Sequence, residues 1–344
     1  MKAVAKTRRE PGLEVIETEP DHVGENQVLL KMKSASICGS DLGFYDYTPA
    51  YQKFAKVPTI MGHEFAGVIE NVGAQVENFS MGDRVACESV IYCGRCKFCR
   101  MGMTNICQNF TVFGMHRNGG FAELVSLDPK FLHKVPKDVD DIEAGIVEPL
   151  SVIVNALDDV GEIRIGQTAS IIGPGPLGLF SAEVLRSKGI SDITIIGVSI
   201  DEYRLRIAKE RLAFRAVNSD KENPMDLVMS STGGYGNDVV VVSAGAPAAL
   251  QSAFSLVAKG GQIIILGIFP TEVSLQASDL VRRQVSMRGS YGSRWEHYEK
   301  AISLLEGKKV RTKEIVTHRF PIEKADEAFR MAKSKMGSKV QLYA

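Results

Sequence analysis

The stretch Ala169-Ser-Ile-Ile-Gly173-Pro-Gly175-Pro-Leu-Gly178 decides the fold. A short apolar run, a glycine turn and the opening of a helical pattern follow one another without a break. Glycines permit the tight turn and a close backbone approach, and the first N–H groups of the helix present unpaired donors and a positive dipole end to a pyrophosphate. A lone G-x-G-x-x-G is weak evidence, but its setting here is informative. Helical stretches Leu177 to Lys188, Glu202 to Leu212 and Pro247 to Ala258 alternate with apolar runs Ile193 to Val198, Asp238 to Ser243 and Gln262 to Gly267. Strands that are continuous apolar runs separated by helices belong to a parallel sheet covered on both faces. The expectation is a doubly wound α/β dinucleotide-binding domain of the Rossmann type over residues 148–284.

Gly173, Gly175, Pro176, Leu177 and Gly178 are then the residues that hold the dinucleotide diphosphate. A carboxylate at the end of the second strand would bind the two ribose hydroxyls of NAD, yet that strand ends in Gly197, followed by Ser199 and Arg204. A 2′-phosphate meets no repelling charge there and gains Arg204, so NADP is expected over NAD. Two features compete with that expectation: Asp201 offers a carboxylate nearby, and Arg204 with Arg206 also suits a solvated helix face.

The chain on the N-terminal side of this domain has a different texture. Val15 to Thr18, the alternating Val28-Leu-Leu-Lys-Met-Lys, Phe65 to Asn71 and Arg84 to Glu88 read as short strands joined by turns. A length of 344 residues suits two domains. After about Val285 the sheet pattern ends; helical stretches near Tyr298 to Glu306 and Ile322 to Ala332 precede a last strand, Lys339 to Leu342. That tail is too small to fold alone, so residues 1–147 and 285–344 are expected to form one β-rich catalytic domain.

Hydrophobic residues make up 44% of the chain and charged residues 24%, an ordinary globular composition. Lys plus Arg and Asp plus Glu number 41 each, leaving no net field to hold nucleic acid or an anionic membrane. MKAVAKTRREPGLEVIE lacks the apolar stretch of an export signal, and no 18 apolar residues run together. With six cysteines clustered in a long chain, metal ligation in a reducing, cytoplasmic compartment fits better than a disulfide scaffold.

Cys93, Cys96, Cys99 and Cys107 give C-x2-C-x2-C-x7-C in a stretch rich in Gly, Lys and Arg. Such spacing lets one loop wrap four thiolates around a tetrahedral ion, with nearby cations lowering the thiol pKa values. Zinc is the expected metal, and an iron-sulfur cluster is the competing reading. Four thiolates leave no open coordination position, so this site holds a loop and does no chemistry. Cys87, in the apolar strand Val85-Ala-Cys, is a small buried hydrophobe.

Cys38 opens Cys-Gly-Ser-Asp-Leu and is followed 25 residues later by Gly62-His63-Glu64, with further glycines at 67 and 73. A cysteine, a histidine and a carboxylate from separate turns can bind zinc and still leave a position for an alcohol oxygen. This G-H-E-x2-G-x5-G pattern, with the four-cysteine lobe, resembles the zinc-containing medium-chain alcohol dehydrogenases from end to end. Within them, Val147-Glu148-Pro149-Leu150-Ser151 and the tail Val316-Thr-His-Arg-Phe-Pro-Ile-Glu-Lys-Ala are similar to the polyol and threonine dehydrogenase branch.

The resemblance implies a GroES-like catalytic domain beside the Rossmann domain and a catalytic zinc held by Cys38, His63 and one or both of Glu64 and Glu148. It implies a second, structural zinc in the cysteine lobe, Ser40 as the hydroxyl that takes the alcohol proton, and a homodimer or homotetramer. Many relatives place a histidine three residues after Ser40, whereas this chain has Gly43, so proton exit must use water or another group. The expected activity is oxidation of a secondary alcohol on a polyol, sugar or sugar derivative. L-Threonine 3-dehydrogenase, aldose 1-dehydrogenase and a zinc-stabilised nucleotide sensor stand as alternatives, as does a zinc-free enone or quinone reductase.

Overall fold

The computed structural model describes residues 1–344. Its contacts divide the chain into two units, one formed by Met1–Ser151, Gly292–Gly307 and Val316–Ala344, the other by Val152–Tyr291 and Lys308–Ile315.

The first unit is built around the strand Val28–Ser36, whose alternation buries Val28, Leu30 and Met32 on one face. This strand is the hub of a seven-stranded sheet. It pairs antiparallel with Glu64–Val72, Leu124–Leu127 and Lys339–Tyr343. Arg84–Cys87 and Leu132–Lys134 continue the sheet on one side, and Val316–Pro321 lies parallel to Lys339–Tyr343 on the other. The helix Ala325–Ser334 buries Ala325, Ala328, Phe329 and Ala332, a stripe at helical spacing that lays Phe329 against Phe121 and Tyr45.

The second unit contains six parallel strands in the order Arg215–Asn218, Asp192–Gly197, Thr168–Ile172, Asn237–Val242, Val257–Ile265 and Ser286–Gly289. The sequence order of these strands reverses at Thr168–Ile172, which is the switch point at which doubly wound sheets bind dinucleotides. The helix Pro176–Ser187 covers the sheet with a nearly continuous run of buried side chains from Gly178 to Leu185.

Two features differ from the boundaries expected on sequence. Ser286–Gly289 is the sixth strand of the parallel sheet, so the sheet does not end at Val285; as an edge strand, paired on one side only, it is largely exposed and lacks an apolar run. Lys308–Ile315 belongs with the second unit, tied by the Arg311 backbone N–H donating to the buried Glu183 at 2.8 Å. No helix is long and apolar enough to cross a membrane.

Candidate active site and metal centres

Pairing register builds the first site. Ser36 lies opposite Glu64 across the sheet, so the chain leaving one strand at Cys38 and the chain entering the other at His63 arrive side by side. Gly62 makes the entry with φ +91, and a Cβ there would come within 2.3 Å of the Phe121 ring. Ligand atoms of Cys38, His63 and Glu64 all fall within 4.8 Å of one another. His63 and Glu64 are buried, and the Ser40 Oγ stands 3.3 Å from His63 Nε2.

Two residues without a role in the sequence reading hold this group. Asp41, fully buried, accepts the Cys38 backbone N–H at 2.9 Å, and its other oxygen faces His63 Nδ1 at 3.5 Å. It thereby ties down the Cys38 backbone and sets a carboxylate oxygen against the imidazole, whose Nε2 is the nitrogen on the Ser40 side. Lys339, also buried, is ion-paired with Glu64 and donates to the Ile37 carbonyl at 3.1 Å. Burial pulls both cationic groups down, but the opposing charges win. Asp41 and Cys38 hold the His63 imidazole well above its ordinary range, and Glu64 with Cys38 raises the Lys339 ammonium.

Glu148 comes from the helix Val147–Asn155 and stands beside this cluster, outside the three whose ligand atoms converge. Its carboxyl is pushed up to about 7, by burial first and by the charge of Glu64 second. His63, Ser89 and Lys339 pull the other way.

The cysteine lobe is closed at its base by Val90–Ile91 pairing with Thr111–Val112. Its four sulfurs also lie within 4.8 Å of one another and form no disulfide. Cys96 Sγ is 3.5 Å from that of Cys99 and 3.9 Å from that of Cys107. A tetrahedron with zinc–sulfur bonds of 2.3 Å has edges of about 3.8 Å, so the lobe fits that ion with little adjustment. Backbone N–H groups of Arg95 and Cys96 bring Cys93 down to about 6, whereas burial and the neighbouring thiols push Cys99 up to about 12. Cys87 is buried among apolar neighbours and its thiol is raised by that burial.

In the second unit, Gly173 turns the chain with φ +108 after Thr168–Ile172, and Gly175 caps the helix that begins at Pro176. A Cβ on Gly178 would stand 2.0 Å from the Gly173 carbonyl oxygen, so only glycine lets the helix sit this close to the turn. Gly197 closes the second strand, and a Cβ there would meet Pro174 at 2.8 Å. The space that an acidic side chain needs is therefore filled by the proline of the turn. Ser199 donates its backbone N–H to Asp220 at 2.7 Å, a carboxylate the sequence reading overlooked because it follows a different strand. Arg204 is half-buried, and its burial lowers its pKa, with Asp201 opposing the shift.

Family models for an alcohol dehydrogenase GroES-like domain and for a zinc-binding dehydrogenase match residues 24–137 and 176–307. The L-threonine 3-dehydrogenase of Thermococcus kodakarensis is 34% identical over 348 residues, covering 100% of this chain and 98% of that one. The chain belongs to the zinc-containing medium-chain alcohol dehydrogenase family. A sorbitol dehydrogenase of Halalkalibacterium halodurans is 35% identical to this dehydrogenase, with 99% of each chain covered. The solved galactitol-1-phosphate dehydrogenase of Escherichia coli superposes with a TM-score of 0.90 at 26% identity over the whole of both chains. The protein is thus an oxidoreductase acting on CH–OH with a nicotinamide coenzyme and zinc. This membership removes the case for a non-enzymatic nucleotide sensor and for a zinc-free reductase.

Proposed function

We propose that this dehydrogenase oxidises a secondary alcohol of a small polyol, sugar or sugar derivative to the ketone, using two zinc ions per chain and preferring NADP to NAD. The observation that carries the reading is the convergence of Cys38, His63 and Glu64, with Glu148 alongside and a hydroxyl, Ser40, against the imidazole. Zinc held by Cys38, His63 and one or both glutamates supplies a Lewis acid that acidifies a bound alcohol, and the nicotinamide supplies the hydride acceptor. Ser40 accepts the alcohol proton. Asp41 orients His63, and Lys339 offsets the negative charge that a thiolate and two carboxylates concentrate in one buried place. Cys93, Cys96, Cys99 and Cys107 hold the structural ion.

Gly173, Gly175, Pro176, Leu177 and Gly178 cradle the diphosphate at the N-terminus of Pro176–Ser187. Gly197, Ser199 and Arg204 make the pocket of the adenosine ribose. The lack of an acid at Gly197 and the guanidinium of Arg204 favour a 2′-phosphate there, whereas Asp220 on the Ser199 N–H opposes it. Asp220→Asn is therefore expected to raise the preference for NADP.

L-Threonine oxidation is the second reading, favoured by the relative from T. kodakarensis that spans the whole chain. Four free thiols within reach of one another suit a reducing cytoplasm. A homodimer or homotetramer is proposed from the family resemblance. Initial rates with polyols, aldoses, sugar phosphates and threonine, each with both coenzymes, test the whole reading. A polyol or sugar turned over fastest with NADP supports it; turnover of threonine alone, or a clear preference for NAD, overturns the corresponding part.

A further inference from the structure

Ser40 can take a proton from an alcohol only if it passes its own proton on, because a neutral hydroxyl does not hold two. The polar atom within 3.3 Å of its Oγ is His63 Nε2, which the proposed function assigns to the metal. Another exit is needed. Three residues along the same short helix, Gly39–Tyr45, stands Gly43, with no side chain to offer.

The space over Gly43 is filled. A Cβ at residue 43 would lie 2.3 Å from Cε2, 2.9 Å from Cδ2 and 3.1 Å from Cζ of Tyr51, so the tyrosine ring occupies the volume that a side chain there would take. Tyr51 is fixed from the next helix, Pro49–Phe54, where its N–H donates to the Thr48 carbonyl at 2.9 Å. Its ring stacks beside Phe44 at 6.3 Å and meets Phe54 edge-on at 6.4 Å. The hydroxyl end lies close enough to Ser40, Cys38, Asp41 and His63 to feel all four.

We propose that Tyr51 stands in for the missing side chain of residue 43 in function as well as in space, its hydroxyl carrying the proton from Ser40 towards water. The inference rests on the dehydrogenase reading given above. A bound nicotinamide would take the electron pair of the alcohol C–H bond as hydride. The alcohol O–H proton goes to Ser40 Oγ, the Ser40 proton to Tyr51 Oη, and the Tyr51 proton to water. Serine and tyrosine both end neutral, and one hydride and one proton account for the oxidation. Tyr51 is only half-buried, so water can approach its side chain.

Tyr51→Phe keeps the ring over Gly43 and removes only the hydroxyl. Turnover is expected to fall by about a hundredfold, the lower end of the range of proton-transfer catalysis, with the KM of the alcohol within twofold and with partial rescue by added imidazole. Unchanged turnover, or a change confined to KM, overturns the relay, since the second outcome makes the hydroxyl a substrate contact. Tyr51→Ala with Gly43→His should recover turnover lost in Tyr51→Ala alone. A second measurement needs neither substrate nor metal. In the metal-free protein, Ser40→Ala and Tyr51→Phe should each lower the melting temperature, and the double variant should fall no further than the worse single one. Strict additivity would show that the two hydroxyls do not interact and would overturn the relay. If the wild type turns over no alcohol with either coenzyme, the dehydrogenase reading fails instead, while the melting cycle still decides the Ser40–Tyr51 pair.

Discussion

The two proposed metal centres are made in opposite ways. The cysteine lobe takes four identical soft ligands from one loop, three of them partly exposed, with the base closed by a two-stranded ribbon. The Cys38 centre takes three chemically different ligands from two strand ends brought together by the Ser36–Glu64 register, and it buries a lysine and an aspartate to hold them. The lobe is a local structure that an ion would complete, whereas the other centre is a product of the whole sheet. A change in the first should cost stability, and a change in the second should cost chemistry.

The largest effect should come from Cys38→Ser. Losing a ligand forfeits several kcal/mol of Lewis-acid assistance, so turnover should drop by roughly a thousandfold or more while about half the bound zinc remains in metal analysis. Loss of all zinc from that variant would erase the distinction between the centres. Lys339→Met comes next: a buried carboxylate left without its partner costs about 3–5 kcal/mol in chemical denaturation, and adding Glu64→Gln should restore much of it. Cys96→Ser breaks the lobe, and the melting temperature should fall by several degrees while turnover per folded molecule stays within a few fold. Asp41→Asn weakens the hold on His63, with an expected loss of ~10–100-fold in affinity for the catalytic zinc, read by competition with a chelator.

A further effect is on pH. With Glu148 raised in the folded state, the native protein binds more protons than the unfolded chain between its ordinary carboxylate value and about 7. Its contribution is fully present below that window and is lost as pH rises through it. Metal-free protein should therefore lose stability across that window, and Glu148→Gln should flatten the slope; an unchanged slope would put its origin elsewhere.

The same contrast explains what was legible in the sequence. C-x2-C-x2-C-x7-C is visible because consecutive residues make the site, and the turn from Gly173 to Gly178 is visible because close backbone approach demands glycine at fixed offsets. Cys38 and His63 could be joined by their residue types and a family signature but not by their spacing, which gives no sign that Ser36 and Glu64 pair. Asp41 was in plain view but looked like any turn residue. Lys339 and Tyr51 gave no signal, because their roles arise from a strand 275 residues away and from a ring that packs over a glycine. Asp220 was hidden for the same reason, and Ser286–Gly289 because an exposed edge strand carries no apolar run.

Lys339 also imposes an order of events. It lies on a strand translated after the entire six-stranded sheet, yet its ammonium neutralises a carboxylate among the first 64 residues. A ribosome that has emitted the GHE segment has therefore made only an uncompensated pocket. The earlier strands must wait, bare at the edge that Lys339–Tyr343 will occupy, while an intervening domain is synthesised. Folding intermediates with that edge open are the ones a chaperone would be expected to meet.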